Sequence, residues 1–399
     1  MEKLLRILKN NSFLFFLIIV SCIELQGQEK KVEFTLSGYI NYLPSYLEFK
    51  GLNHQESQTN HLIHNRINIR GYIQENFSIG LELRNRILFD EGRFNSDNGY
   101  LDLSHHFVND SKFKIHSMID RMWLKYQKEK IEISIGRQRV NWGINTIWNS
   151  NDLFNAYNFI DFDYIERPGS DVIRFQYTGD DLSSLDIVYK PSTLENSSVI
   201  AALYKINKMG YDFQFLLANY YDDIALGGGW AGNIKNAGFK GEITYFMSEE
   251  SSEKNSTSLS TSIDYSFKNG FYILGSHLYN SNGFSDPQQF DPHSVTQNVL
   301  SPKNLMPSKN SYLIQASAFI TPAINTSFTL LYGEGINFFF FSPNISYDIN
   351  SSLDASIIGQ FFYMDDEFNS DIITIDTDIA PINTISRING YYARLKWSF

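Results

Sequence analysis

Seven basic residues share one strand parity. Arg66, Arg70, Arg84, Arg86, Arg121, Lys125 and Arg174 each alternate with apolar neighbours, which places each on the polar side of a strand. Four carboxylates, Asp152, Asp161, Asp163 and Glu166, fall together in the polar stretch 141–170. Groups of this kind act electrostatically: they pair, order water and bias the passage of charged solutes. Covalent chemistry has less to work with. A nucleophile needs a base within reach, and Ser276 and His277, being adjacent strand residues, point to opposite faces. The pair His105 and His106 has no recognisable partner, and the other histidines are scattered. Asp365, Asp366, Glu367, Asp371, Asp376 and Asp378 offer oxygen ligands for Ca²⁺, but they match no EF-hand spacing and read as a solvated face. One cysteine excludes an internal disulfide and a thiolate metal cluster. No glycine-rich phosphate loop is present. The expectation is a protein without enzymatic chemistry, cofactor or metal.

The elements that must position these charges are strands. The chain has 399 residues and a formal charge of −11, which argues against a nucleic-acid partner. Its 43% hydrophobic fraction argues against wholesale disorder. Phe 32, Tyr 24 and Trp 5 raise the aromatic share to 15%, a load that suits strands and membrane-interface belts. Residues 1–12 are polar with Lys3, Arg6 and Lys9, and 13–20 are continuously apolar, the order of a secretory signal peptide. Cleavage after Gly27 fits this order, giving a leader 1–27 and a mature chain 28–399. Ile19-Val20-Ser21-Cys22 also resembles a lipobox, with Cys22 lipidated. Either route exports the chain. No later segment has the ~18 consecutive apolar residues of a membrane helix. An exported chain without such helices enters a membrane only as a closed barrel.

Period-two alternation runs through most of the mature chain. Phe77, Ile79, Leu81, Leu83, Ile87 and Phe89 share one face, and Glu82, Arg84 and Arg86 the other. Phe239, Gly241, Ile243 and Tyr245 alternate with Lys240, Glu242 and Thr244. Tight turns are expected near 74–76, 128–130, 179–181, 208–210, 232–236, 268–270, 321–325 and 348–350. Longer loops are expected near 51–60, 90–114, 141–170, 191–197, 248–256, 280–309 and 364–384. Short connections near Asp222 and Glu334 break this order. Short turns at one end opposite long loops at the other are the pattern of outer-membrane barrels. The count predicts one domain, an all-β transmembrane antiparallel barrel of about 18 strands, with 16 as the alternative.

The last residues carry the most specific signal. Tyr391, Ala393, Leu395, Trp397 and Phe399 form one face, and Tyr392, Arg394, Lys396 and Ser398 the other. A terminal Phe on such a strand resembles the assembly signal of Gram-negative outer-membrane barrels. The resemblance implies that Tyr391, Leu395, Trp397 and Phe399 are read by the barrel-assembly machinery through strand pairing. The mature chain as a whole resembles a porin-like outer-membrane β-barrel of the Bacteroidota kind. Its most distinctive stretch is Arg137-Gln138-Arg139-Val140-Asn141-Trp142-Gly143, continuing through Asn149, Asn151 and Asp152 to Arg167-Pro168-Gly169-Ser170-Asp171. No plug domain is evident, which departs from the energy-dependent receptors.

The resemblance implies a constriction. In general porins the third outer loop folds into the pore and sets carboxylates against an arginine ladder. The stretch 141–170 follows the fifth expected strand and is the third outer loop here, so it is expected to fold into the lumen. Asp152, Asp161, Asp163 and Glu166 would then oppose the wall formed by Arg66, Arg70, Arg84, Arg86, Arg121, Lys125 and Arg174. The competing reading pairs these arginines with nearby acids such as Glu82. Strict parity turns Arg137 and Arg139 outward, unless a bulge at Gly136 intervenes or they meet lipopolysaccharide phosphates. Trp142, Trp148, Phe154, Tyr157, Phe159, Phe162 and Tyr164 either stack on sugar rings or pack the loop against the wall. The expected function is a channel for passive or weakly selective diffusion of small polar solutes. The alternative is a filled barrel that scaffolds a surface or secretion complex. Expected partners are outer-membrane lipid and lipopolysaccharide, with a homo-oligomer possible.

Overall fold

A computed structural model describes residues 32–51, 55–89, 94, 97, 99–156, 166–193, 198–248, 254–286, 301–364 and 385–399. The expected leader, Cys22, Tyr157, Phe159, Asp161, Phe162, Asp163, Tyr164 and the acidic run from Asp365 to Asp378 lie outside the described residues.

The described chain forms strands and turns, with no helix among the described residues. The first half contains β1 (Val32–Gly51), β2 (Gln55–Ile73), β3 (Phe77–Phe89), β4 (Ser104–Asn109), β5 (Phe113–Lys128), β6 (Ile131–Gln138), β7 (Ser170–Thr178), β8 (Ser184–Lys190) and β9 (Val199–Lys208). The second half contains β10 (Tyr211–Tyr220), β11 (Asp223–Ile234), β12 (Ala237–Ser248), β13 (Ser256–Ser266) and β14 (Tyr272–Asn280). It finishes with β15 (Asn310–Thr321), β16 (Ile324–Glu334), β17 (Phe338–Asn350), β18 (Leu353–Tyr363) and β19 (Ile385–Ser398).

Sequence neighbours pair antiparallel, and β1 pairs with both β2 and β19, which closes the sheet into a barrel. Pairing of β1 with β19 over Tyr39–Gly51 gives the first and last strands no open edge along that stretch, as a membrane requires. Strand β5 has β3 along one edge. Its other edge is shared: β6 pairs with residues 122–128 and β4 with residues 114–118. Of the 19 described strands, β4 therefore shares a wall position with β6, and the barrel has 18 strands around its wall. This is the predicted count, reached with one strand more than the sequence pattern resolved.

The alternation sets the two faces. Ile243 and Tyr245 on β12, Phe339 and Phe341 on β17, Tyr391, Leu395 and Trp397 on β19, and Phe399 just after it are exposed, while Glu242 and Thr244 are fully buried. An exposed apolar face running over neighbouring strands has no stable place in water and suits a lipid belt. The turns use the expected punctuation. Met209 and Gly210 both have positive φ, 55° and 76°, the geometry of a two-residue hairpin turn with matching twist. At the seam, Gly38 N–H donates to the Phe399 carbonyl at 2.9 Å and Phe399 N–H to the Gly38 carbonyl at 3.0 Å. A Cβ at Gly38 would sit 2.2 Å from the Arg66 carbonyl oxygen, so the seam needs a glycine there.

Two expected loops are corrected. The connection expected over 51–60 shrinks to 52–54, because β1 and β2 run on with alternating polar residues. The expected 90–114 loop contains β4 and the start of β5. Both misses arise from polar strand ends beyond the apolar belt, where period-two hydrophobicity fades.

Candidate functional site

Strands β2, β3 and β5 place the predicted cations in register. Arg66 pairs with Arg84 across the β2–β3 ladder, and Glu82 with Arg121 across β3–β5. A register shift between Glu82 and Leu83 leaves Asp120 as an extra residue beside them. Arg66 is 1% exposed. Its guanidinium lies 2.5 Å from Glu82, 2.7 Å from Asp120 and 3.9 Å from Glu166. Arg121 lies 3.3 Å from Glu82 and donates to the Arg167 carbonyl at 2.9 Å. Arg84 stands 3.9 Å from Asp120. The Tyr39 hydroxyl donates to Glu166 at 3.0 Å. A buried arginine needs such carboxylates, since an unpaired buried charge is costly.

The predicted cations therefore divide. Arg66, Arg84 and Arg121 belong to one ion cluster with Glu82, Asp120 and Glu166. Arg70 keeps 53% of its side chain exposed and stands 3.9 Å from Glu82. Arg86 lies 4.2 Å over the Phe94 ring and 3.3 Å from His116 Nδ1. Lys125 pairs with Glu132 at 2.8 Å, and Arg174 with Asp186 at 2.6 Å. Of the predicted carboxylates, Glu166 meets the cluster. Asp152 instead pairs with Arg167 of its own segment at 2.7 Å. Burial pushes the Asp152 carboxyl up to about 6, against the pull of Arg167.

Arg137 departs from its expected position. It is buried and clamped: Asp97 accepts at 2.6 Å, Asp171 at 2.8 Å and 2.9 Å, and the Leu101 carbonyl at 2.7 Å. It fills the seam where β6 stops, rather than facing outward. Arg139 is exposed.

Segment 140–156 is the second part of the site. Its partners lie on the polar faces of β8 and β10–β13, opposite the exposed apolar residues. Glu242 on β12 is the main anchor. Its carboxylate accepts the backbone N–H groups of Ile144, of Asn145 at 2.7 Å and of Asn151 at 2.9 Å. Thr244 donates to the Ser150 carbonyl at 2.7 Å. Asn145 donates to Ser260 at 2.7 Å and accepts from Ser262 at 2.7 Å. The Trp142 indole donates to Asp186 at 2.7 Å, and Gln214 to the Trp142 carbonyl at 3.0 Å. Trp142, Trp148 and Phe154 are all buried, Trp142 and Phe154 edge-to-face at 5.1 Å. These three rings pack the segment against the wall, the second of the two roles expected for them.

Two apolar clusters underlie the segment. One joins Trp142 and Phe154 to Val188, Leu203, Leu216 and Phe246. The other joins Ile147 and Trp148 to Leu278, Leu313, Leu331, Phe340 and the nearby Leu305 and Met306. The signal for this covering is in the sequence. Val199–Tyr204 and Phe215–Ala218 are apolar on both parities, as strands covered on both faces are. Glu242 gave no signal beyond its place in an alternating strand. Among the described residues no group of His, Cys, Asp and Glu side chains is placed to hold a metal ion.

This wall, closed at 18 strands with charges on its polar face, is that of a porin-type barrel. Solved structures of outer-membrane porins share it. OccAB4 of Acinetobacter baumannii superposes with a TM-score of 0.54 at 10% identity, covering 93% of this chain and 99% of that one. OccK11 (OpdR) of Pseudomonas aeruginosa gives 0.53 at 10% identity, covering 91% and 96%. OccK8 (OprE) of Pseudomonas aeruginosa gives 0.55 at 8% identity, covering 91% and 98%. At these identities the likeness is one of fold. No protein-family model matches the chain, and comparison with curated proteins finds no similar sequence.

Proposed function

We propose that the protein is a porin-like channel of a Gram-negative outer membrane, passing small polar solutes by passive or weakly selective diffusion. The observation that carries this reading is the closed 18-strand wall, with an exposed apolar face and charged groups on the opposite face. A barrel of this size encloses an aqueous path rather than a fully packed core. Segment 140–156 acts as a loop folded into the lumen, narrowing it against the β1–β5 wall. Arg70, with its side chain half exposed, and the Arg66–Glu82–Asp120–Glu166 cluster then shape the field in the remaining path. Chemistry at reacting bonds is not needed for this role. The leader 1–27, the assembly role of Tyr391, Leu395, Trp397 and Phe399, the Bacteroidota affiliation and any homo-oligomer belong to the same reading.

The filled-barrel scaffold is favoured by one observation, the two apolar clusters beneath segment 140–156. Single-channel recording of the refolded barrel separates the two. Steady conductance steps support the channel. A silent bilayer with folding verified by heat-modifiable gel mobility overturns it.

A further inference from the structure

The outer face of the wall carries a polar row where lipid contact calls for apolar side chains. On β3, Asn85 shares the parity of Phe77 and Phe89, which are exposed, and alternates with Arg84, which is buried on the lumen side. Its register partners are Asn65 on β2 and Ser117 on β5. Apolar residues flank each member along its own strand: Ile63 and Ile67, Leu83 and Ile87, Ile115 and Ile119. Those flanking residues also face one another in register, so the polar row lies between two apolar rows. Aromatic pairs bound the belt beyond them, Phe89–Phe113 toward the loops and Phe77–Tyr126 toward the tight turns. The row is therefore inside the apolar belt and not at its rim.

Three hydrogen bonds join the row. The Ser117 hydroxyl donates to Asn85 Oδ1 at 2.6 Å, Asn85 Nδ2 to Asn65 Oδ1 at 3.1 Å, and Asn65 Nδ2 to the Tyr39 carbonyl at 3.1 Å. A carboxamide has two N–H donors and an oxygen with two lone pairs. Among the described residues one donor and one lone pair of Asn85 are used, so it keeps one of each. All three side chains are partly exposed on this face. Hydrocarbon meets neither a donor nor an acceptor, and a polar group left unmet there is costly. The side chains beside the row are aliphatic, whereas β17 and β19 turn Phe339, Phe341, Tyr391 and Trp397 outward. Small aliphatic relief around a polar centre lets another wall come close.

We propose that this face of β2, β3 and β5 is the contact between two copies of the chain within the membrane, with Asn85 of one barrel hydrogen-bonded to Asn85 of the other. A carboxamide is its own complement, since the spare N–H of each meets the spare lone pair of the other. Both copies insert in the same sense, so the contact is isologous about a two-fold axis along the membrane normal. Barrel strands tilt with the same hand in each copy, so the facing rows cross, and Asn85 is the middle member of each. A single Asn pair in an apolar seam fixes partner and register in coiled coils by the same chemistry. The proposal rests on the outer-membrane reading above but not on conduction.

Cross-linking of the full barrel in membranes tests this. The chain has one cysteine, Cys22, in the expected leader. Asn85→Cys therefore puts a lone thiol of the mature barrel on the proposed contact, and Ile243→Cys puts one on the exposed face of β12, well around the wall. On mild oxidation Asn85→Cys should give a disulfide-linked band at twice the barrel mass, while Ile243→Cys stays at the monomer mass. Native mass measurement should find the wild type as a dimer and Asn65→Leu/Asn85→Leu as a monomer that keeps its heat-modifiable mobility. A row that only pinned its own strands would give the reverse, an unchanged mass and a lost heat stability. That result overturns the proposal, as do equal cross-linking at the two positions, a wild-type monomer in the membrane, or a cross-linked product of any other mass. A chain absent from the membrane fraction overturns the outer-membrane reading and this contact with it.

Discussion

The Glu242 carboxylate is the point at which the covering segment can be released. One side chain satisfies three backbone N–H groups, those of Ile144, Asn145 and Asn151. Glu242→Gln keeps the shape and one accepting oxygen. Its amide nitrogen then replaces one carboxylate oxygen. If the amide oxygen stays with Ile144 and Asn145, the nitrogen faces the Asn151 N–H, donor against donor. A hydrogen bond to a charged group contributes about 1.5–3 kcal/mol, and a buried donor left unmet costs about 1–3 kcal/mol. The two surviving bonds also lose their charge assistance. The summed effect is about 3 kcal/mol, or roughly a hundredfold rise in the fraction of time the segment is detached. The Ser150, Asn145 and Trp142 contacts remain, so detachment should be local. The assay is single-channel recording: Glu242→Gln should visit a larger conductance level far more often than wild type. Limited proteolysis should cut 140–156 faster in the variant. Identical conductance histograms and identical proteolysis would refute the reasoning, because the carboxylate would then not hold the segment in place.

Four further outcomes are expected. Arg70→Ser should shift the reversal potential in a salt gradient more than Arg84→Ser, because Arg84 is buried next to Asp120; equal shifts would contradict that division. Trp142→Phe removes the donor to Asp186 and should lower thermal stability by about 1–2 kcal/mol, with Arg174 still pairing Asp186, as read by heat-modifiable mobility. Asp152 has a raised folded value, about 6, so the native state favours its protonated form. Its contribution to stability therefore grows as pH falls through about 6 toward the unfolded value, and the penalty stands in full above about 6, at about 2–3 kcal/mol. Asp152→Asn should flatten that part of the stability–pH curve; an unchanged curve would count against the burial argument. Gly38→Ala should slow assembly and lower the unfolding temperature, since its Cβ meets the Arg66 carbonyl and the Phe399 ring at the closing seam.

The wall was legible because lipid enforces a simple rule on it. Each outward position must be apolar, so Phe77 to Phe89 and Tyr391 to Phe399 announce both their strands and their faces. Met209–Gly210 marked its turn for a local steric reason. Strand β4 stayed hidden because it is short and carries His105 and His106 in place of an alternating apolar row. The ends of β1 and β2 were lost where they pass beyond the belt. The polar face was legible only in parity. Parity put Arg66, Arg84 and Arg121 on one surface, yet whether they form a bare ladder or an ion cluster depends on Asp120, which a register shift brings alongside. A one-residue irregularity of that kind has no hydrophobic signature.

The same logic explains why the covering segment is polar in sequence and buried in the fold. A segment crossing the polar face of a barrel meets lumen side chains rather than lipid. It needs donors and acceptors at its ends and apolar side chains where the wall itself turns apolar. Segment 140–156 has both: Asn145, Ser150 and Asn151 bond to β11–β13, and Trp142, Ile147 and Trp148 sit on the apolar patches of β8–β17. Those patches break the expectation that a lumen face is polar throughout, and they occur where strands such as Val199–Tyr204 are apolar on both parities. The wall from β1 to β5 has no such runs and carries the charge cluster instead. The barrel is thus asymmetric: segment 140–156 covers one arc, and the other carries the ion cluster.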